Sequence, residues 1–153
     1  MLEQGDALPA VALKDANGAD IDWGSYKGKP LVIYFYPKAD TPGCTNEAKD
    51  FTELYDAFAA AGASVIGVSK DKPGKLKKFA EKYGLRVILA SDEDGGACEA
   101  FGTWVEKSLY GRKYMGIERA TFLFDADGKA ARVWPKVKVK GHAQEVLEAV
   151  KAL

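Results

Sequence analysis

A continuous apolar run from Leu31 to Tyr36 most strongly limits how this chain can fold. Its residues are β-branched, aromatic or Leu, and such a run is typical of a strand that is covered on both faces. Pro37 ends the run. Thr41, followed by Pro42 at the first helical position, then indicates the start of a helix. The sequence therefore predicts strand, short loop and helix in succession, with Cys44 in the first helical turn.

Strand and helix signals alternate along the remainder of the chain. Asn17-Gly18 is a strong turn signal between two short apolar segments and predicts an N-terminal β-hairpin. The predicted elements are hairpin strands at 11–13 and 21–23, a helix over 42–61, a strand over 64–69, a helix over 73–83, a strand over 86–90, a short helix through Cys98 and Phe101, a loop or ragged hairpin over 108–118, hairpin strands at 120–124 and 131–134, and a C-terminal helix that buries Val146, Leu147 and Val150. This order predicts an α/β fold with a central mixed β-sheet flanked by helices, parallel in its middle and antiparallel at the closing hairpin.

The composition argues against several classes of partner. The 153 residues fit one domain and carry 22 basic and 22 acidic side chains. A net charge near zero gives no general electrostatic reason to expect nucleic acid or an anionic membrane as a partner. No segment approaches the roughly 18 apolar residues of a membrane span, and the N-terminal residues do not resemble a secretory signal. With only Cys44 and Cys98, we expect a reducing cytoplasm as the compartment.

Several polar groups have simpler interpretations than a functional site. Residues 125–128 lack the further ligands of a calcium loop, so a turn is favoured. His142, the only histidine, follows Gly141 just before a helix. A capping or surface role is favoured over a metal site or a catalytic pair with cysteine. The lysines within 136–140 alternate with valines, the pattern of an exposed edge strand protected by lysines, and a docking patch for an acidic partner is the alternative.

Cys44 differs from these groups because of its predicted position. The backbone N–H groups and the macrodipole at a helix N-terminus favour an anion, and a thiolate is such an anion. Gly43 allows another molecule to approach the backbone closely. A guanidinium nearby would favour the thiolate further. The alternative interpretation of Cys44 is a small buried hydrophobic residue.

The segment from Tyr34 to Thr45, followed by Glu47, closely resembles the active-site segment of peroxiredoxins. The subfamily it resembles is peroxiredoxin Q, also called bacterioferritin comigratory protein. The Pro-x-x-x-Thr-x-x-Cys pattern formed by Pro37, Thr41 and Cys44 is specific. Further similar segments follow in order at 67–71, 89–92, 98–102 and 116–122, so the resemblance spans essentially the whole chain. It implies a single thioredoxin-like domain over residues 1–153 and the reduction of hydroperoxides.

The resemblance also implies a role for individual residues. Cys44, as a thiolate, attacks the peroxide O–O bond and becomes a sulfenic acid. Arg119 holds Cys44 in its anionic form and stabilises charge on the departing oxygen. Thr41 offers a hydroxyl that orients thiolate and peroxide, and the N–H groups of Gly43 and Cys44 point into the substrate pocket. Pro37 shields the site from water. Neither a metal nor another cofactor is implied.

The second, resolving cysteine of many peroxiredoxins is missing from its usual positions. Lys49 occupies one of them, and Phe79 and Ala80 lie at the other. We therefore expect a one-cysteine cycle, in which thioredoxin, glutaredoxin or a low-molecular-weight thiol reduces the Cys44 sulfenic acid. The alternative is a two-cysteine cycle in which Cys98 is the resolving cysteine. We expect Cys98 at the start of a helix that follows a strand, at the same sheet edge as Cys44. The expected assembly is a monomer or a weak homodimer.

Two other functions stay open from the sequence. A thiol–disulfide oxidoreductase of the same fold would have a Cys-x-x-Cys pair at the helix start, but Thr41 occupies the position three before Cys44. A non-catalytic binding or holdase module of the same fold would carry Cys44 as an ordinary thiol. The reactivity of the Cys44 thiol distinguishes that module from an enzyme.

Overall fold

A six-stranded mixed sheet forms the centre of the computed structural model, which describes residues 1–153. The strands are β1 (Lys14–Asp15), β2 (Leu31–Phe35), β3 (Ser64–Ser69), β4 (Ile88–Ser91), β5 (Trp104–Leu109), β6 (Arg112–Ile117), β7 (Ala120–Phe124) and β8 (Ala130–Trp134). The helices are α1 (Pro42–Glu53), α2 (Tyr55–Ala60), α3 (Pro73–Tyr83), α4 (Gly96–Phe101) and α5 (His142–Lys151). The strand order across the central sheet is β1-β4-β3-β2-β7-β8, and β5 and β6 form a separate two-stranded sheet.

The central sheet is parallel in its middle and antiparallel toward β8, which confirms the predicted arrangement. β2 pairs in parallel with β3, and β3 with β4, whereas β7 is antiparallel to both β2 and β8. Phe35, the last residue of β2, pairs with Val68 on one side and with Ala120 on the other. The ends of β2 and β3 and the start of β7 therefore meet at one edge of the sheet, where loops from three parts of the chain come together.

The side chains of β2 alternate between two hydrophobic cores on opposite faces of the sheet. Tyr34 faces a core of 20 buried residues that includes Cys44. Phe35 faces a second core of 16 buried residues that includes Cys98. Every residue of β2 is buried, which confirms the prediction made from its uninterrupted apolar run.

The helix predicted over 42–61 starts as expected but is interrupted at Leu54. Thr41 is the N-cap residue and Pro42 is the first helical residue. Leu54 has φ −94° and ψ 6°, which separates α1 from α2. Phe51 and Phe58, on either side of the break, are buried in the same core with ring centroids 5.8 Å apart. None of the helices combines the length and the apolar character that a membrane span requires.

The predicted N-terminal hairpin is wrong in the extent of its strands. Its turn forms, and the Asp15 carboxylate accepts hydrogen bonds from two N–H groups within it. Pairing across the turn is limited to one isolated bridge. The strands predicted at 11–13 and 21–23 do not form, because β1 pairs with β4 and a 3-10 turn begins at Trp23.

Residues 108–118 are more regular than the sequence predicts. They belong to the hairpin of β5 and β6, which pair antiparallel from Trp104 opposite Ile117 to Leu109 opposite Arg112. Gly111 at the hairpin tip has φ 79°, a conformation that glycine adopts without strain. The glycine that suggested a loop is therefore the turn residue of a regular hairpin.

The edge strand predicted within residues 136–140 is wrong. This segment contains no strand, although its three lysines are exposed and its two valines are half-buried. The Val137 N–H donates a hydrogen bond to the Arg119 carbonyl at 2.9 Å, so the backbone here bonds to the loop before β7. The lysine–valine alternation thus marks a segment packed on the core without strand pairing.

Gly67 on β3 is expected to resist substitution because Tyr34 packs against it. A Cβ at Gly67 would lie 2.5 Å from the Tyr34 ring, which is buried and cannot move aside. We expect Gly67→Ala to lower the free energy of unfolding by about 1–3 kcal/mol through overpacking.

Gly74 on α3 supplies a matched control, because a Cβ there would meet no atom within 4 Å. We expect Gly74→Ala to leave the free energy of unfolding unchanged or to raise it by up to about 1 kcal/mol. Denaturant unfolding of both variants measures the difference. Equal stability of the two variants would contradict the packing described for Tyr34.

Candidate active site

The loop between β2 and α1 is held in place from two directions. The Asp71 carboxylate, which follows β3, accepts a hydrogen bond from the Ala39 N–H at 2.8 Å. Asp40 has φ 63°, and its carboxylate accepts hydrogen bonds from the Tyr83 hydroxyl and, at 2.9 Å, from the Lys82 ammonium group. Contacts with the loop after β3 and with α3 therefore fix the path of the chain into α1.

Cys44 lies in the first turn of α1 and is only 2% exposed. Its Sγ accepts a hydrogen bond from Arg119 Nη2 at 3.4 Å. The start of a helix and an adjacent guanidinium both favour negative charge on the sulfur. The structure thus brings together the two residues to which the sequence resemblance assigns the central chemistry.

Arg119 lies directly before β7, and its guanidinium joins two residues of α1. Nη2 contacts Cys44, and Nη1 donates a hydrogen bond to Glu47 Oε1 at 2.7 Å. Cys44 and Glu47 are three residues apart and therefore share one face of the helix. Burial disfavours the guanidinium cation, but Glu47 and Cys44 outweigh that effect and raise the pKa of Arg119. The side chain of Arg119 is 18% exposed, so the cation lies where the protein interior meets solvent.

Glu47 is the site residue to which the sequence pattern assigns no role. It is 1% exposed, and its Oε2 has no hydrogen-bond partner. Burial raises the pKa of Glu47 from its ordinary 4.5 to about 7, and Arg119 opposes this shift. The sequence signal that could identify Glu47 is an acidic residue on the buried helix face defined by Cys44, Ala48 and Phe51.

Gly43 leaves room for the Arg119 guanidinium. A Cβ at Gly43 would lie 3.2 Å from Arg119 Nη2, tighter than ordinary van der Waals contact. The sequence indicates that Gly43 permits a close approach to the backbone, and in the structure the approaching group is a side chain of the same molecule. A larger residue at position 43 would push the guanidinium away from Cys44.

Thr41 and Pro37 belong to the segment before Cys44, and neither forms a hydrogen bond with the sulfur. The Thr41 hydroxyl donates a hydrogen bond to the Lys38 carbonyl at 2.8 Å, so its oxygen still has a lone pair to offer. No hydrogen bond joins this hydroxyl to Cys44. Pro37 is exposed at the end of β2. Thr41 is half-buried at the N-cap of α1, three residues before Cys44.

Comparisons with known proteins place this geometry in a family. The sequence profile of the AhpC/TSA family matches residues 4–133. The chain belongs to the AhpC/TSA family. Peroxiredoxin Bcp of Bacillus subtilis strain 168 and Peroxiredoxin Bcp of Escherichia coli strain K12 are each 45% identical to it over 150 residues, which cover 98% of this chain and 96% of each relative. Peroxiredoxin Q of Xanthomonas campestris has a TM-score of 0.89 at 44% identity, covering 95% of this chain and 94% of that structure.

These comparisons confirm the expected family, the thioredoxin-like α/β fold and the class of enzyme. Relatives named peroxiredoxins match this chain over nearly its whole length. The activity class is therefore thiol-dependent peroxide reduction. The geometry around Cys44 fits this chemistry, because it combines a nucleophilic sulfur with a cation that can stabilise a departing oxygen anion.

Cys98 of this peroxiredoxin lies in a different core from Cys44. It is completely buried on the opposite face of the sheet. α1 and α4 both follow the carboxyl ends of parallel strands, as expected for one sheet edge, but the sheet separates the two cysteines. The Asp92 carboxylate accepts a hydrogen bond from the Cys98 N–H at 2.8 Å. Burial, together with the Asp92 charge, raises the pKa of Cys98 well above its usual value. Both effects disfavour the thiolate form of Cys98.

His142 is also placed differently from the prediction. It is the first residue of α5 but is 4% exposed, so a surface role is wrong. Its Nε2 lies 2.8 Å from the Thr121 hydroxyl oxygen. Burial lowers the pKa of His142 from 6.5 to about 4, with Glu145 opposing the shift and Arg119 and Arg132 adding to it. The imidazole is therefore neutral at neutral pH.

Glu47→Gln is expected to change how the stability of this peroxiredoxin depends on pH. Between about pH 4.5 and pH 7, folded Glu47 holds a proton that the unfolded chain releases. The free energy of unfolding contributed by Glu47 therefore falls as the pH rises through this window. The variant lacks this titration, so its stability relative to the native sequence should increase over the window by about 1–3 kcal/mol.

Denaturant unfolding at a series of pH values measures this difference. Glu53→Gln is a matched control, because Glu53 is an exposed carboxylate on the same helix. We expect its curve to run parallel to that of the native sequence. A Glu47→Gln curve that is also parallel would contradict a pKa of Glu47 raised by burial.

Proposed function

We propose that this protein reduces hydrogen peroxide and organic hydroperoxides through a sulfenic acid formed at Cys44. The observation that carries the proposal is the guanidinium of Arg119, which contacts the Cys44 sulfur while a buried Glu47 holds it in place. A cation fixed beside a cysteine favours the thiolate before the reaction and stabilises an oxygen anion during it. Neither a metal nor a cofactor is needed for this chemistry.

The proposed step is a nucleophilic displacement at oxygen. The Cys44 thiolate forms an S–O bond to one peroxide oxygen while the O–O bond breaks, and the electron pair of that bond leaves with the second oxygen. Arg119 stabilises the departing oxygen anion, which takes up a proton and leaves as water or an alcohol. Cys44 is oxidised to the sulfenic acid and the peroxide is reduced.

The loop residues are proposed to shape the approach of the peroxide. Gly43 keeps the guanidinium close to the sulfur, and its N–H, with that of Cys44, is free at the helix start to bind the substrate. The Thr41 hydroxyl donates to Lys38 and so has an acceptor lone pair available for the peroxide O–H. Pro37 restricts the access of water from the end of β2.

The proposed substrates include organic hydroperoxides because of what is described for a related structure. Alkyl peroxide reduction activity is described for the bacterioferritin comigratory protein of Xanthomonas campestris, which is 44% identical to this chain with a TM-score of 0.89. We infer the same substrate class here. No Cys-x-x-Cys pair is present, so a thiol–disulfide oxidoreductase has no comparable support.

The proposed reductant of the sulfenic acid is an external thiol, supplied by thioredoxin, glutaredoxin or a low-molecular-weight compound. Cys98 lies on the opposite face of the sheet from Cys44. Lys49, which occupies a usual position of the resolving cysteine, is an exposed residue of α1. A disulfide requires Cα atoms within roughly 7 Å, so pairing Cys44 with Cys98 would need part of the core to open. A two-cysteine cycle through Cys98 is therefore the weaker alternative.

The setting of the reaction is also proposed. The two free cysteines suit a reducing cytoplasm, and the two cores share one central sheet, as expected for a single domain over residues 1–153. A monomer or a weak homodimer would leave the loop around Cys44 open to the reductant.

Cys44→Ser is expected to abolish peroxide consumption with dithiothreitol as the reductant, because serine lacks the nucleophilic thiolate. Cys98→Ser should retain the activity, since the buried Cys98 thiol takes no part in the cycle. Peroxide consumption by each purified variant is the measurement. Retained activity in Cys44→Ser would contradict the proposed function.

Intact mass after one equivalent of peroxide distinguishes the two cycles in the same samples. We expect the native protein to gain one oxygen atom and to form a dimedone adduct at Cys44. A loss of two hydrogen atoms, absent from Cys98→Ser, would instead identify an internal disulfide. That result would overturn the one-cysteine cycle and leave the peroxidase assignment intact.

A further inference from the structure

The buried imidazole of His142 contacts three of the elements that surround the candidate active site. Its Nε2 lies 2.8 Å from the Thr121 hydroxyl of β7. Its ring packs edge-on against Phe51 of α1, with centroids 6.2 Å apart, and against Trp134 of β8, with centroids 5.5 Å apart. A single side chain thus joins α1, β7 and β8 at the start of α5.

Two of these contact residues, Phe51 and Thr121, are close in sequence to residues of the candidate active site. Phe51 lies one helical turn after Glu47 on the buried face of α1, the face that also carries Cys44. Thr121 lies two residues after Arg119, so in extended backbone their side chains project from the same face. His142 therefore fixes the helix that carries the sulfur relative to the strand that positions the guanidinium.

The bond between Thr121 and His142 is the directional part of this contact. The Thr121 hydroxyl is completely buried, and the imidazole is its hydrogen-bond partner. Loss of either partner leaves a buried polar atom unsatisfied, so each group constrains the other. The ring contacts with Phe51 and Trp134 allow sliding, whereas the hydrogen bond specifies one distance between α5 and β7.

We propose that His142 is a positioning residue for the Cys44–Arg119 pair, acting through Thr121 and Phe51. The inference rests on the proposed peroxidase function, in which the distance from the guanidinium to the sulfur sets the rate. The charged groups that act electrostatically on the imidazole are Glu145 of its own helix, Arg132 of β8 and Arg119 itself. The imidazole works in its neutral form, as a hydrogen-bonding partner of fixed geometry.

The test compares four variants and one control in a Cys98→Ser background, where Cys44 is the only thiol. His142→Phe keeps an aromatic ring and removes the hydrogen bond, and Thr121→Val removes the hydroxyl with little change of shape. The double variant combines both changes. His142→Gln retains an amide group that can bond Thr121. Gln144→Ala, at an exposed position of α5, is the matched control.

Two quantities are measured: the second-order rate constant of Cys44 with hydrogen peroxide, and the pH profile of Cys44 alkylation by iodoacetamide. We expect His142→Phe and Thr121→Val each to lower the rate constant about tenfold, which corresponds to ~1.4 kcal/mol in the barrier. Both should shift the alkylation profile to higher pH. The double variant should react no more slowly than the single variants, and His142→Gln should recover most of the rate.

A purely structural role would lower the melting temperature and leave the rate constant and the alkylation profile unchanged, and that outcome would overturn the inference. Additive losses in the double variant would overturn it as well. If His142→Phe does not fold, Thr121→Val decides alone. Peroxide consumption by the native protein distinguishes failure of the proposed function from failure of the proposed role of His142. If the native protein consumes no peroxide, the proposed function is refuted. If it consumes peroxide and the variants react as fast, only the role of His142 is refuted.

Discussion

The bridge from the Arg119 guanidinium to Cys44 and Glu47 is the interaction on which the rest of the site depends. Arg119, in the loop before β7, lies 75 residues after Cys44 and 72 residues after Glu47, which are both in α1. They meet because β2 ends beside the start of β7, so α1 begins where Arg119 emerges. The fold places the guanidinium beside the sulfur, and its hydrogen bond to the buried Glu47 fixes its orientation. A guanidinium on the surface would have neither a fixed position nor a fixed orientation.

Local signals in the sequence were sufficient to predict the elements at the core of the fold. The apolar run of β2 and the Thr41-Pro42 helix start each encode their structure within a few residues, and both predictions are confirmed. Cys44 at a helix start could be predicted in the same way. Arg119 could not, because no local pattern indicates a contact across 75 residues, and only the resemblance to peroxiredoxins identified it.

The predictions that are wrong concern residues whose neighbours come from distant parts of the chain. Residues 136–140 alternate like an edge strand, but their backbone bonds to the loop at Arg119. His142 follows a glycine at a helix start, as a surface cap would, yet β7, β8 and α1 enclose it. Glu47 was assigned no role from the sequence, because its partner Arg119 lies 72 residues away. Tertiary packing determines the environment of all three.

The most direct test of the account compares two reactions of Cys44 in the native protein and in Arg119→Lys. Lysine keeps a positive charge but loses the planar fork that reaches both Cys44 and Glu47. The second-order rate constants with hydrogen peroxide and with iodoacetamide are measured at the same pH. The account predicts that the peroxide rate falls about 100-fold or more, and much further than the alkylation rate, because only the peroxide reaction releases an oxygen anion that Arg119 stabilises. Equal losses in both rates, or no loss, would contradict it.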